Sequence, residues 1–154
     1  QGGPHNNVIA AEALMCFENL SPSFKNYQKQ ILKNAQALSS NLKLLGFKLL
    51  TDGTDNHLLL IDLKIIDNMN GKLGQDLLEE AGIIVNRNSI LGDLSPFNPS
   101  GLRLGTPAVT TRGMKEKEMK QIASWIKRVL LDKERPALIK KEVEILCFKF
   151  PLNY

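Results

Sequence analysis

The residue whose type and position best suit it to bind a ligand is Arg103, which lies in the segment LRLGTP at positions 102–107. Side chains alternate between the two faces of a strand, so the leucines on either side would enter a core while Arg103 points the other way. Gly105 then ends the strand, and Thr106 followed by Pro107 is typical of a helix N-cap and first helical residue. We predict a guanidinium held on a rigid strand end beside a helix N-terminus, where its planar fork suits a carboxylate. The alternative is a surface arginine on a two-sided strand.

Two further groups of residues offer binding chemistry. Gly2 and Gly3 can present bare backbone N–H groups, which are the raw material of an anion-binding nest. A plain turn before a helix is the alternative for this pair. Asn88, Ser95 and Phe97 offer two hydrogen-bonding groups and one aromatic face to a flat heterocycle. The loop that carries them also has the composition of an ordinary irregular loop.

Apolar periodicity predicts the elements that position these groups. A stripe at three- and four-residue spacing is assigned to core packing on one long helix: Phe24, Tyr27, Ile31, Ala35, Leu38, Leu42 and Leu45. Helices are predicted at 8–20, 21–45, 70–81, 114–131 and from 136 to a stop at Pro151, and strands at 47–50, 57–63, 83–88 and around Arg103. This order predicts an α+β fold with a small, mainly antiparallel sheet covered by helices on one side.

Two side chains receive structural assignments. His57 opens the strongest strand, and we predict that it is packed and hydrogen-bonded, with no catalytic role. Trp125 is predicted to lie at the edge of its helix.

The composition bounds the class of protein. The 154 residues, 43% hydrophobic and 23% charged, are enough for one ordinary globular domain. The net charge is +4, but acidic residues interleave with the lysines at 115–127, which argues against a nucleic-acid patch. Cys16 and Cys147 have no CxxC spacing, so we predict free buried thiols in a reducing cytoplasm and no metal site. No apolar run approaches a membrane span.

Five segments of the chain resemble serine hydroxymethyltransferase in the same order. They are QGGPH at 1–5, GTDNHLLLIDL at 53–63, AGIIVNRNSI at 81–90, SPF at 95–97 and SGLRLGTPAVTTRG at 100–113. The resemblance implies an enzyme of the aspartate-aminotransferase-like fold that uses pyridoxal 5'-phosphate and acts as a homodimer or a pair of dimers. Such an enzyme interconverts serine plus tetrahydrofolate with glycine plus 5,10-methylenetetrahydrofolate.

The resemblance also implies a domain division and a set of site residues. Residues 1–18 would end the large cofactor-binding domain, and 19–154 would form the small domain, with a connecting helix at about 21–45. Arg103 would bind the substrate carboxylate. Gly2 and Gly3 would reach the cofactor phosphate of the neighbouring subunit, while Asn88, Ser95 and Phe97 would line the folate site.

The sequence departs from the family pattern in two places. The segment 88–95 (NSILGDLS) lacks the proline usual after the NS pair and is slightly short, which weakens the folate assignments. The family's threonine-rich THK segment, which carries the Schiff-base lysine, does not occur in these 154 residues. Neither the histidine that stacks on the cofactor ring nor the aspartate that pairs with the cofactor's pyridine nitrogen is recognisable. Because covalent catalysis needs these groups, we expect an inactive fragment of a longer enzyme. The start at Gln1 without an initiator methionine agrees with that expectation.

Two alternatives stay open. Another enzyme of the same cofactor superfamily would also carry an arginine for carboxylates on its small domain, although VNRNS together with SPF argues against it. A non-catalytic dimerisation or RNA-binding module fits the positive charge. The aromatic content of 6% and the absence of an RNP-type motif argue against base stacking.

Overall fold

The computed structural model describes residues 2–152, and Gln1, Asn153 and Tyr154 lie outside the described part. Within that range the chain forms six α-helices: α1 (Asn6–Asn19), α2 (Pro22–Leu44), α3 (Gly71–Glu80), α4 (Pro107–Thr111), α5 (Glu116–Leu130) and α6 (Pro136–Lys149). It also forms four strands: β1 (Lys48–Leu49), β2 (Leu58–Asp62), β3 (Asn86–Asn88) and β4 (Gly101–Gly105). Each predicted element is present.

The four strands form one sheet in the order β1-β2-β4-β3, and every neighbouring pair is antiparallel. Leu59 pairs with Leu104 and Ile61 pairs with Leu102, so these four buried residues share the face that packs against the helices. The predicted α+β class with an antiparallel sheet is therefore confirmed. Strands β1 and β3 are shorter than predicted. Residues 83–85 belong to no strand: Val85 is buried and Ile83 packs on the core, while Ile84 is exposed.

Helix α2 is the longest helix and packs on several other elements of the domain. Ser21 caps it by accepting a hydrogen bond from the Phe24 N–H at 3.2 Å, and Pro22 occupies the first helical position. The predicted stripe is confirmed, since Ile31, Ala35, Leu38 and Leu42 are all buried. α2 packs against α5 and also contacts β1, β2 and α4.

Helix α1 differs from the other long helices because it buries none of its residues. Its exposed apolar side chains include Val8, Ile9, Leu14 and Phe17. Neither α1 nor any other helix within residues 2–152 is both long and apolar enough to cross a membrane. The apolar side chains of α1 therefore lie on the surface of this chain.

Three sequence predictions about single residues were wrong. Trp125 is 3% exposed, because α6 packs beside α5 and the indole N–H donates to Glu142 Oε2 at 2.8 Å. Both cysteines are free, but Cys16 is exposed on α1 and Cys147 is only half-buried. The side chain of His57 is exposed, and its backbone carbonyl makes the structural contact by accepting from the Thr106 N–H at 3.0 Å.

Candidate functional site

Arg103 lies at the centre of β4 with its side chain on the open face of the sheet. Its neighbours Leu102 and Leu104 are 0% and 6% exposed, which confirms the predicted alternation. The register places Arg103 opposite Leu60 on β2 and opposite Asn86 on β3. Paired residues of antiparallel strands point to the same face, so these three side chains are cross-strand neighbours.

The guanidinium of Arg103 is free to bind a ligand. Within residues 2–152 it makes no hydrogen bond to a side chain or carbonyl and no ion pair. The acidic residue on the same face, Asp62, is engaged elsewhere: its carboxylate lies 3.0 Å from Lys48 Nζ and accepts from the Lys64 N–H. An exposed arginine with five N–H donors and no internal partner is suited to an external carboxylate or phosphate.

The end of β4 is fixed by polar contacts with α2 that sequence reasoning missed. The Thr106 hydroxyl donates to the Ile31 carbonyl at 2.9 Å. Asn34, fully buried on α2, donates to Thr110 Oγ1 at 2.8 Å and to the Met114 carbonyl at 2.9 Å. The sequence signal was a polar residue inside the apolar stripe of α2. Since Thr106 and Thr110 are also buried, these bonds hold the strand and the turn after it in one position.

These contacts correct one part of the predicted site. Thr106 and Pro107 occupy the N-cap and first position of α4, as predicted, but Thr106 makes no side-chain capping bond. Its hydroxyl is committed to α2, and α4 has only five residues. A helix this short carries a small dipole, so the anion-binding capacity here rests on Arg103 alone.

Strand β3 brings two asparagines to the face that carries Arg103. Asn86 pairs with Arg103 and is exposed, while Asn88 pairs with Gly101 and is half-buried. The amide groups of Asn86 and Asn88 make no side-chain hydrogen bond within the described part of the chain. The structure therefore brings Asn88 and Arg103 to one face of two adjacent strands. Asn86 lies closer to the arginine in register, a relation that only the pairing reveals.

The loop at 89–100, between β3 and β4, is organised by Asp93. Its carboxylate accepts from the backbone N–H of Ile90 at 2.9 Å and of Ser100 at 3.0 Å, and also from the Ser100 hydroxyl. Lys64 Nζ lies 3.1 Å from the same carboxylate. The Ser100 hydroxyl, followed by the two backbone N–H groups, holds the pKa of Asp93 well below its usual range. Asp93 therefore stays ionised and ties the two ends of the loop together.

Ser95 and Phe97 lie at the outer part of this loop. Ser95 Oγ accepts from the Phe97 N–H at 3.2 Å, so the two residues form one local turn. The Phe97 ring is 96% exposed and packs against nothing within residues 2–152. The loop places both residues next to β3 and β4 in the chain without packing them against Arg103 or Asn88.

Gly2 and Gly3 are not brought to this face. Both are exposed and precede α1, and no atom lies within 4 Å of the Cβ position of either. Their backbone is accessible, as the nest hypothesis requires, but the described part of the chain supplies no second wall for an anion.

The carboxyl groups whose pKa is lowered, Asp93, Glu116, Glu134 and Glu142, all have structural partners. For Glu134 and Glu142 the main cause is the Arg128 guanidinium, which bridges both. No group of three or more potential metal ligands comes together within residues 2–152. The open face thus offers an oriented cation and amide groups.

The family model described as serine hydroxymethyltransferase matches residues 1–126 of the chain. The matched range runs from the N-terminal glycines through all four strands into α5, and it contains Arg103, Asn88 and the 89–100 loop. Because the match covers well over half of the 154 residues, the chain belongs to the serine hydroxymethyltransferase family.

Proposed function

We propose that this chain is the C-terminal part of an enzyme that interconverts serine plus tetrahydrofolate with glycine plus 5,10-methylenetetrahydrofolate. In this proposal the whole enzyme has the aspartate-aminotransferase-like fold, with residues 1–18 ending its large domain and 19–154 forming its small domain. Membership of the family supports a hydroxymethyltransferase-type function. The contribution of this chain would be to bind and orient the substrates.

The observation that carries the proposal is the guanidinium of Arg103, which lies on a strand and has no partner within residues 2–152. Two parallel N–H groups of the fork can donate to the two oxygens of an amino-acid carboxylate. Such a clamp fixes the direction in which the rest of the amino acid projects, which lowers the entropic cost of reaction. The hydrogen bonds that join α2 to Thr106 and Thr110 would keep the strand end in place when the ligand binds.

The folate would bind beside this clamp. Asn88 offers an amide with both donor and acceptor groups, which suits the edge of a pterin ring. Ser95 and the exposed ring of Phe97 would complete the wall from the 89–100 loop. Asp93 would act as a positioning residue, because it joins the two ends of that loop.

Pyridoxal 5'-phosphate, when bound, would supply the electron sink for bond changes at the amino acid. The accessible backbone of Gly2 and Gly3 fits the approach of a phosphate, and in a homodimer this would be the phosphate of the neighbouring subunit's cofactor. The lysine and the acidic partner that the cofactor needs are not recognisable in this sequence. We therefore propose that the chain alone has no turnover.

The proposal is tested by joining this chain to the cofactor-binding domain of a family member. In that protein Arg103→Lys should raise the KM for serine about 10- to 100-fold. Lysine keeps the positive charge but cannot form the second hydrogen bond of the bidentate pair, and a charge-assisted bond is worth about 1.5–3 kcal/mol. Arg87→Lys is the matched control. Arg87 is also an exposed sheet arginine, but its pairing with Leu102 turns its side chain to the opposite face.

Equal effects of the two substitutions, or an unchanged KM in Arg103→Lys, would refute the assigned role. The 154-residue chain alone, supplied with cofactor, serine and tetrahydrofolate, should form no glycine. Glycine formation by that material would show that the chain carries a complete catalytic site.

A further inference from the structure

A second site lies on the helical side of the sheet, away from Arg103. It is a cavity of ≈ 250 Å³ bounded by the end of β4, by α4, α5 and α6, and by the segment 82–85. Its walls include Leu104, Ala108, Trp125, Val143 and Cys147. Among its described lining residues Arg112 is the only charged one.

Arg112 is incompletely satisfied in this apolar setting. One terminal nitrogen, Nη2, donates to the Cys147 carbonyl near the end of α6 at 3.1 Å. Its Nε is buried and has no hydrogen-bond partner within residues 2–152. No carboxylate in that range forms an ion pair with the guanidinium. Arg112 as a whole is half-buried, but a buried donor without a partner, such as its Nε–H, is costly.

We propose that this cavity binds a medium-chain aliphatic carboxylate, with Arg112 as the partner of the carboxylate group. The carboxylate would lie against the guanidinium of Arg112, which has no ion-pair partner within residues 2–152, and the aliphatic chain would fill the space between the apolar walls. At the interior packing density of roughly 0.74, a cavity of ≈ 250 Å³ accommodates roughly 185 Å³ of ligand atoms, which suits a saturated acid the size of octanoate or decanoate. This inference does not depend on the proposed reaction at Arg103.

The chain contains a natural probe of the cavity. Trp125 is the single tryptophan of the sequence and lies in the cavity wall. Titration of the 154-residue chain with octanoate should therefore change its fluorescence in a saturable way. 1-Octanol has the same chain without the charge and should bind at least about tenfold more weakly, because it cannot form the charge-assisted bond.

Two variants separate the charge from the apolar walls. Arg112→Met should reduce the affinity for octanoate to that for octanol. Ala108→Leu, at an exposed position in the cavity wall, should weaken the binding of both ligands by filling the cavity. Arg135→Met, at an exposed arginine outside the cavity, is the control and should leave both affinities unchanged. If loss of the Arg112–Cys147 hydrogen bond unfolds Arg112→Met, Ala108→Leu still tests the proposal.

The two cysteines give an independent readout. Octanoate should slow alkylation of Cys147, which lines the cavity, and leave Cys16 on α1 unaffected. Equal protection of both cysteines would mean non-specific binding to exposed apolar surface. That result, equal affinities for octanoate and octanol, or no effect of Ala108→Leu would each overturn the proposal.

Discussion

Replacing Gly101 with alanine tests how the folate-side loop is seated on the sheet. Gly101 pairs with Asn88 on β3 and with Asp62 on β2. A Cβ atom at Gly101 would overlap with Ile90 Cγ2 and would lie 2.8 Å from the Asn88 carbonyl oxygen. Both distances are below contact range, so Ile90 or the β3–β4 pairing must move.

Gly105 on the same strand provides a matched control. A Cβ atom there would meet its nearest neighbours, Pro107 Cδ and the His57 carbonyl oxygen, at 3.7 and 3.8 Å, which is ordinary contact. Neither glycine has a positive φ angle, so alanine is compatible with both backbones. The two substitutions therefore have the same chemistry and differ in the space available.

The expected magnitudes follow from these contacts. Overpacking costs about 1–3 kcal/mol, while loss of glycine's flexibility in the unfolded chain returns about 0.4–1 kcal/mol. Gly101→Ala should therefore lower the free energy of unfolding by roughly 1–2 kcal/mol, and Gly105→Ala should leave it unchanged or raise it slightly. For a domain of this size, Gly101→Ala should lower Tm by roughly 2–8 °C.

Urea unfolding of both variants measures the difference, and amide hydrogen exchange locates it. Exchange in Gly101→Ala should accelerate at the Ile90 and Ser100 amides, which Asp93 holds. Equal stability of the two variants would refute the reasoning, because it would mean that the loop does not pack on Gly101 as described. A destabilised variant with unchanged exchange at these amides would place the strain elsewhere.

Two other predictions follow from the same structure. Asp93→Asn should lower the free energy of unfolding near neutral pH. Because the pKa of Asp93 is lowered on folding, its charge contributes fully to stability above the ordinary value of 3.8, and this contribution is lost as the pH falls below that value. The urea unfolding curves of the two proteins should therefore converge in acid. The exposed apolar residues of α1 should cause self-association, so sedimentation of the chain should depend on concentration, and Phe17→Ser should weaken that dependence; a strictly monomeric profile at high concentration would contradict this.

The sequence by itself determined the elements and the face of its strand on which Arg103 lies. The alternation around Arg103 and the spacing in α2 are local periodicities, and local periodicity fixes which face of a strand or helix is buried. The motifs also led to the family, because residues 81–113 carry a specific order of polar groups that composition does not impose.

Only the tertiary structure decided which residues meet across the chain. The pairing of Asn86 with Arg103 depends on strand register, and the buried contacts of Asn34 and Thr106 join segments far apart in sequence. Trp125 and Cys16 were misplaced because burial depends on the neighbouring element: α6 covers the first, and no element of the described chain covers the second. Tertiary packing also leaves Arg112 Nε without a hydrogen-bond partner within residues 2–152, and nothing in the local sequence shows whether a counter-ion is near.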